Sequence, residues 1–270
     1  MPTKPRRRKR YHLVVLAFLL SRLFVDRTFG EGNSDTGTTN FEQPAVLTGR
    51  IYDISNTNKL LFTFRRTAVR TNSTVNVLRE FRTPDGHLAA RETVRYESGR
   101  LSAFELEEPP SGDQARITVQ PDPRKSDRSQ IAFEYSENRG RSEGATEALQ
   151  PDTLIADMIG PFIEMHWNQL MRGDSVKFRF AAVARRETVG FKFVKESEAW
   201  RAGKPVARLK MQPTSILISP FVDPLYFTVE KASPHRVLDY TGRTTPRMKE
   251  DGEWKDIAAL TVFDWPVSGE

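Results

Sequence analysis

The chain has 270 residues, and 17 phenylalanines within a hydrophobic fraction of 38% supply enough apolar surface for a sizeable core. The formal net charge is +6, but residues 1–30 hold eight Lys or Arg against one Asp, a net of +7, which leaves −1 for residues 31–270. This nearly neutral part lacks the basic stripe that a nucleic-acid backbone requires. The absence of cysteine excludes disulfides, thiolate metal sites and a cysteine nucleophile.

The first thirty residues have the pattern of an export leader. A positively charged segment, KPRRRKR, precedes a short apolar run, YHLVVLAFLL, like the n-region and h-region of a signal peptide. The run is about half the ~20 residues that span a bilayer. We therefore predict that residues 1–30 are an export leader. The alternative is an uncleaved anchor in the inner membrane, which would be the chain's one contact with a membrane. The predicted compartment is extracytoplasmic, namely the periplasm.

Alternation of apolar and polar residues with a period of two dominates the chain after a polar linker at 31–45. Before the middle of the chain, strands are predicted over residues 50–54, 59–69, 73–83, 88–96, 101–107, 115–120 and 129–136. Thr83-Pro84-Asp85-Gly86 has the composition of a tight turn. The charged segment 121–128 is predicted as a loop, and the whole of 46–266 as one β-rich domain.

One helix is predicted in mid-chain, at about 152–172, where the apolar period changes to that of a helix. Its apolar stripe contains Ile155, Met158, Ile159, Phe162, His166 and Leu170. Asp157, Glu164 and Asn168 fall opposite and are predicted to face solvent. Asp152 is the expected N-cap and Gly173 the expected stop. Pro161 predicts a kink or a restart at Gly160-Pro161.

After the helix, alternation returns as a hairpin of residues 176–180 and 189–193, with its turn at 185–187. Further strands are predicted at 206–213, 225–231, 236–242 and 258–265, and a short buried helix or irregular plug at 214–224. The predicted fold is therefore mainly β, a large curved antiparallel sheet or open barrel with one central helix packed on or in it.

Five residues are predicted to line a binding site between helix and sheet. Phe162, Phe178 and Phe191 would supply an apolar surface, and His166 with Gln169 would orient a polar headgroup. The alternative is an ordinary core in which Gln169 satisfies the ring of His166. The sequence has no motif of a nucleophile, a nucleotide-binding loop or a metal site, so no catalytic residue, metal or cofactor is predicted.

Three segments carry a resemblance to known proteins. D-M-I-x-P-F at 157–162, together with T-V-E-K at 228–231 and R-V-L-D-Y-T-G-R at 236–243, resembles uncharacterised bacterial envelope proteins of the domain-of-unknown-function type. In architecture, the chain is also distantly similar to the lipoprotein-localisation carriers, which hold acyl chains between helices and a curved sheet. This resemblance implies a fold and assigns no functional residue.

The predicted function is that of an exported, non-enzymatic envelope protein that binds or carries a hydrophobic ligand, such as a lipid, or binds an envelope partner. A hydrolase acting on envelope polymers is the alternative from another class, and it requires a cleft with converging carboxylates or histidines. A purely structural scaffold is the third possibility, and it requires a fully packed interior.

Overall fold

The computed structural model describes residues 40–215 and 222–265. The predicted leader, most of the predicted linker, residue 266 and the greater part of the predicted plug at 214–224 lie outside the described residues. None of the described helices is long and apolar enough to cross a membrane.

The described residues are organised around one 15-stranded sheet, and a two-stranded ribbon accompanies it. The strands before the helices are β1 (Val46–Asp53), β2 (Asn56–Thr71), β3 (Thr74–Arg82), β4 (Leu88–Glu97), β5 (Arg100–Glu108), β6 (Asp113–Asp122), β7 (Lys125–Ser136), β8 (Glu143–Ala148) and β9 (Thr153–Leu154). Those after the helices are β10 (Val176–Ala182), β11 (Glu187–Arg201), β12 (Lys204–Pro213), β13 (Leu225–Glu230), β14 (Val237–Arg243), β15 (Met248–Glu250), β16 (Glu253–Lys255) and β17 (Ala258–Asp264).

The order of strands in the sheet is β8-β7-β6-β5-β4-β3-β2-β1-β17-β14-β13-β12-β11-β10-β9. Neighbours are antiparallel except for the short parallel pair of β9 and β10. The N-terminal and C-terminal halves of the domain therefore join where β1 pairs with β17, with Ile51 opposite Thr261. The remaining pair, β15 and β16, forms the separate ribbon.

The helical segment is a 3₁₀ turn at Ala156–Met158 followed by α1 (Ile159–Met165) and α2 (Trp167–Met171). The change from 3₁₀ to α geometry comes at Ile159, just before the restart predicted at Gly160-Pro161. Pro161 lies in the first turn of α1, where a backbone N–H would have no intrahelical acceptor, so proline is tolerated there. The break in the helix is instead at His166 (φ −101°, ψ 13°). Gly173 follows the last turn with φ +92°, as expected for a helix stop.

The sheet curves around this segment. Asp157, in the 3₁₀ turn, contacts Arg66 on β2 and Tyr96 on β4, whereas α1 and α2 pack against β10 to β13, which lie towards the other edge of the sheet. The edge strand β8 also contacts the other half of the sheet, because Glu147 on β8 accepts hydrogen bonds from the backbone N–H and hydroxyl of Thr188 on β11 (3.2 and 2.7 Å). The predicted mainly-β fold with a large antiparallel sheet is confirmed.

The face of the sheet that contacts the helical segment, here called the inner face, is lined by three apolar clusters. One joins α1 and α2 to β10 to β14, the second joins Phe41 and Ile155 to β2 to β7, and the third lies on β1 to β4 and β17. Phe41 falls within the range predicted as linker, yet it is buried and its ring stacks on Tyr96 at 3.9 Å.

Each predicted strand overlaps an observed one, and the errors lie between them. Residues 121–128 are the ends of β6 and β7 with a tight turn, and they are not a loop. Asp152 does not cap a helix, because its carbonyl accepts the N–H of Arg179 (3.0 Å) in the β9–β10 pairing. The observed helical segment is therefore shorter than the helix predicted at 152–172. Strands β8, β9, β15 and β16 were not predicted, since they are short or have no apolar alternation.

Phe162→Ala tests whether the helical segment is part of the core. The Phe162 ring is 8% exposed and packs on Phe178 and Phe193, so its removal should lower the free energy of unfolding by roughly 3–5 kcal/mol. Urea denaturation measures this. Met165→Ala on the same helix, where the side chain is 52% exposed, should change it by less than about 0.5 kcal/mol. Equal effects of the two substitutions would contradict the packing.

Candidate functional site

The five residues predicted as a binding site lie close together in the structure. Phe178 and Phe191 are directly opposite each other on β10 and β11, and Phe162 of α1 rests on Phe178 with ring centroids 5.2 Å apart. The alternation of this hairpin and the helical period of Phe162 place all three rings on one side of the sheet. All three rings are buried, so they fill the space between α1 and the sheet with their own contacts.

His166 and Gln169 lie at the margin of this aromatic cluster. The His166 ring is 4.5 Å from the Phe162 ring. Both His166 and Gln169 are partly exposed. Partial burial lowers the pKa of His166, and the side chain of Gln169 opposes that change, which favours the neutral ring. His166 and Gln169 therefore lie together at the break between α1 and α2.

A buried ion-pair network, which sequence reasoning missed, fixes the start of the helical segment. The Arg66 Nε donates to Asp157 Oδ1 (2.7 Å) and its Nη2 to Asp157 Oδ2 (3.2 Å). The remaining guanidinium donors of Arg66 reach the carbonyl oxygens of Phe41 and Pro44, and the Tyr96 hydroxyl donates to Asp157 at 2.9 Å. The side chains of Arg66 and Asp157 are 6% and 2% exposed. The prediction that Asp157 faces solvent is wrong.

The network continues through Arg79, whose Nε lies 3.9 Å from Asp157 and whose Nη1 is bonded to Glu92. Glu92 also accepts the hydroxyl of Thr245 (2.6 Å). We call Arg66, Arg79, Glu92, Tyr96 and Asp157 the central network. Its two cations and two carboxylates balance, as buried charges require.

The pKa of Asp157 reflects this balance. Burial alone would raise it, but the charge and hydrogen bonds of Arg66, then Arg79 and Tyr96, outweigh burial and lower it. The carboxylate thus stays ionised, and the stability that it contributes is lost only as the pH falls through this lowered pKa.

The sequence did contain a signal for the central network. Arg66 has the same alternation as Phe64 and Ala68 on β2, and Glu92 has the same alternation as Ala90 and Val94 on β4. Arg79 likewise lies between Val77 and Phe81. A charged residue on the apolar side of an alternating strand predicts a buried pair, although it does not identify the partner.

A second buried polar group joins β5 and β6 to the segment between β14 and β15. The carboxylate of Asp113 is bonded to Arg247 and accepts the Asn138 N–H (2.9 Å) and the Tyr135 hydroxyl (3.2 Å). Glu108, four per cent exposed, lies beside it, with the Ser111 hydroxyl 3.5 Å from its Oε2. We call Glu108 and Asp113 the rim carboxylate pair. Two adjacent carboxyl groups are what a hydrolase needs for acid–base catalysis, but this pair is buried beneath Arg247.

Burial, followed by the nearby charge of Asp113, raises the pKa of Glu108 to about 8. Arg247 opposes this shift, and Asp256 and Glu92 add to it. Glu108 is therefore protonated at neutral pH, and the pair carries one negative charge, which Arg247 neutralises. The rim carboxylate pair thus holds the chain after β14 against β6, and its stability depends on pH.

No protein-family model matches the chain, and no curated protein matches its sequence. Among solved structures, the chain is similar to a β-barrel-like protein of domain of unknown function DUF1849 from Brucella abortus. The two are 8% identical, the alignment covers 82% of this chain and 95% of the other, and the TM-score is 0.36. This is a similarity to a bacterial protein of unknown function. It gives no link to the lipoprotein-localisation carriers and assigns no residue a role.

Asp157→Asn should destabilise the protein by roughly 3–5 kcal/mol, because it leaves the buried cations Arg66 and Arg79 with one carboxylate fewer. The change is measured by urea unfolding at pH 7. Glu105→Gln is the matched control, because it removes the partner of Arg116 in an exposed pair (3.0 Å) and should cost at most about 1 kcal/mol. A cost below about 1 kcal/mol for Asp157→Asn would show that the central network does not hold the helical segment.

Glu108→Gln should make the protein less sensitive to alkaline pH. Folded Glu108 keeps its proton up to a pKa of about 8, whereas an unfolded Glu loses it near 4.3. The wild type therefore loses roughly 3 kcal/mol between pH 5 and pH 8 from this group, and the Gln variant does not. Urea unfolding at pH 5, 7 and 8.5 measures the difference, with the exposed neighbour substitution Glu107→Gln as control. Parallel pH profiles for wild type and Glu108→Gln would contradict a protonated Glu108.

Proposed function

We propose that the protein is an exported, non-enzymatic envelope protein that binds its partner on the outside of the curved sheet. Export rests on the charged and apolar pattern of residues 1–30. The rest of the chain, at a net charge of −1, has the composition of a folded domain and lacks that of a nucleic-acid-binding one.

The observation that carries this proposal is the way the inner face is occupied. The helical segment covers it on one side, where the rings of Phe162, Phe178 and Phe193 contact one another. The central network occupies the side next to β2 to β4, with its charges paired. A ligand entering here would have to displace buried rings or separate buried charges, and both are costly. Binding at the outer face has neither cost.

A second candidate, a carrier of an apolar ligand, is favoured by one observation. His166 and Gln169 are partly exposed at the break between α1 and α2, directly beside the Phe162 ring. Movement of α2 about this break would expose the aromatic cluster while the Arg66–Asp157 pair held the start of the segment in place. A lipid headgroup would then meet His166 and Gln169.

The two candidates differ in what the protein carries when it is purified. Protein from the periplasmic fraction of its native host should show the mass of the polypeptide alone by native mass spectrometry, because the inner face is already filled. A fluorescent fatty-acid probe should show no saturable binding to it, and His166→Ala should behave as the wild type.

Two results would contradict the proposal in different ways. Recovery of the protein in the cytoplasmic fraction with its N-terminus intact would contradict export. A co-purified lipid that is lost in His166→Ala, or saturable probe binding that His166→Ala weakens, would replace the outer-face proposal with the carrier.

A further inference from the structure

The outer face of the sheet contains a groove rich in arginine. It has a volume of about 310 Å³ and is formed by side chains of β1, β2, β3 and the end of β17. Its polar lining consists of two threonines, three arginines (Arg50, Arg65 and Arg82) and two carboxylates (Glu80 and Asp264). We call this the outer groove. Nothing in the predicted site or in the two buried networks belongs to it.

The register of the strands explains why these side chains converge. Arg50 on β1 is opposite Thr63 on β2, and Thr63 is opposite Arg82 on β3, so the three form one row across the sheet. In the next row, Thr48 is opposite Arg65, which is opposite Glu80. Alternation directs both rows to the outer face, and two arginines of the first row flank Arg65 of the second.

The charges of the outer groove do not balance. Glu80 is bonded to Arg82 (3.3 Å) and to Arg91 (3.0 Å), and Asp264 to Arg50 (2.6 Å). The guanidinium of Arg65, exposed at the centre of the groove, has no ion pair or hydrogen bond with any described residue.

Three arginines therefore line the outer groove together with two carboxylates, a local net charge of +1, in a part of the chain whose overall charge is slightly negative. Two other arginines on the outer face are each paired with a carboxylate, Arg95 with Glu97 and Arg116 with Glu105. A solubilising surface needs mixed charges, and it does not need a free guanidinium between two others.

We propose that the outer groove binds a phosphate group. Arginine forks match phosphate oxygens and form charge-assisted hydrogen bonds to them, and the hydroxyls of Thr48 and Thr63 can donate to the same anion. Guanidinium groups reach the groove from three strands, which suits a tetrahedral anion with several acceptor oxygens better than a planar carboxylate. This inference rests on the proposed function and deepens it by naming the chemistry of the partner that the outer face recognises.

Inorganic pyrophosphate is the probe. Titration calorimetry of the full chain at low ionic strength should show saturable binding that weakens as salt is added, because both partners are charged. Arg65→Ala should raise the Kd about tenfold or more, since it removes the one guanidinium that is free to bind. Arg65→Lys keeps the charge but not the fork, and it should give an intermediate Kd.

Arg116→Ala is the matched control. It removes one positive charge from the same outer face, outside the groove, and should leave the Kd within about twofold of the wild type. Thermal melts of all variants check that they are folded. The proposal is overturned if pyrophosphate does not bind, or if Arg65→Ala and Arg116→Ala weaken binding equally, because the effect would then be one of net charge alone.

A second arm identifies the source of the phosphate. Vesicles of phosphatidylcholine with and without phosphatidic acid are sedimented with the protein. Retention on the acidic vesicles alone, lost in Arg65→Ala and kept in Arg116→Ala, assigns a lipid headgroup, whereas pyrophosphate binding without retention assigns a water-soluble phosphate compound. A protein that is free of lipid but does not bind pyrophosphate would refute the groove and leave the proposed function standing. A protein that carries lipid inside would refute the proposed function whatever the groove does.

Discussion

The fold depends on the pairing of Arg66 with Asp157 inside the curved sheet. Taking both charges out of water costs several kcal/mol for each ion, and that cost is offset only when every donor and acceptor is satisfied. Here each guanidinium nitrogen of Arg66 has an acceptor, because Arg66 also bonds the carbonyls of Phe41 and Pro44, and Asp157 also accepts from Tyr96. The pair thereby fixes the start of the helical segment, the chain before β1 and strands β2 and β4 in one arrangement. We infer that it contributes specificity of position more than stability.

Period-two patterns were sufficient to predict most of the strands, because a sheet with one apolar face leaves that pattern in sequence. The pairing of distant strands leaves no such trace. Nothing in the sequence of β1 indicates that its second neighbour is β17, about two hundred residues later. Strand β9 is two residues long, too short for any period, and β8 has little apolar surface because it lies at the edge of the sheet.

The error over Asp157 has a different physical cause. A helical wheel assigns one side to the core and the other to water, which holds when a helix packs on a flat sheet. A segment inside a curved sheet meets protein on more than one side. In addition, residues Ala156–Met158 are a 3₁₀ turn, so the angle of 100° per residue does not apply there. Phe162, Phe178 and Phe191 do lie together, because their placement depends only on patterns within one hairpin and one helix.

Arg65 and Arg66 illustrate how the two faces of this sheet obey different rules. They are adjacent in sequence, so alternation sends one outward and the other inward. The inward guanidinium is tolerated only because Asp157 and two carbonyl oxygens take its donors. The outward one faces water, which solvates it at no cost to folding, and it can therefore remain unpaired. The fold does not require an unpaired charge on the outer face, whereas it does require that a charge on the inner face be paired. The features of this chain that serve a function separable from stability are accordingly to be sought on the outer face, beginning with the residues around Arg65.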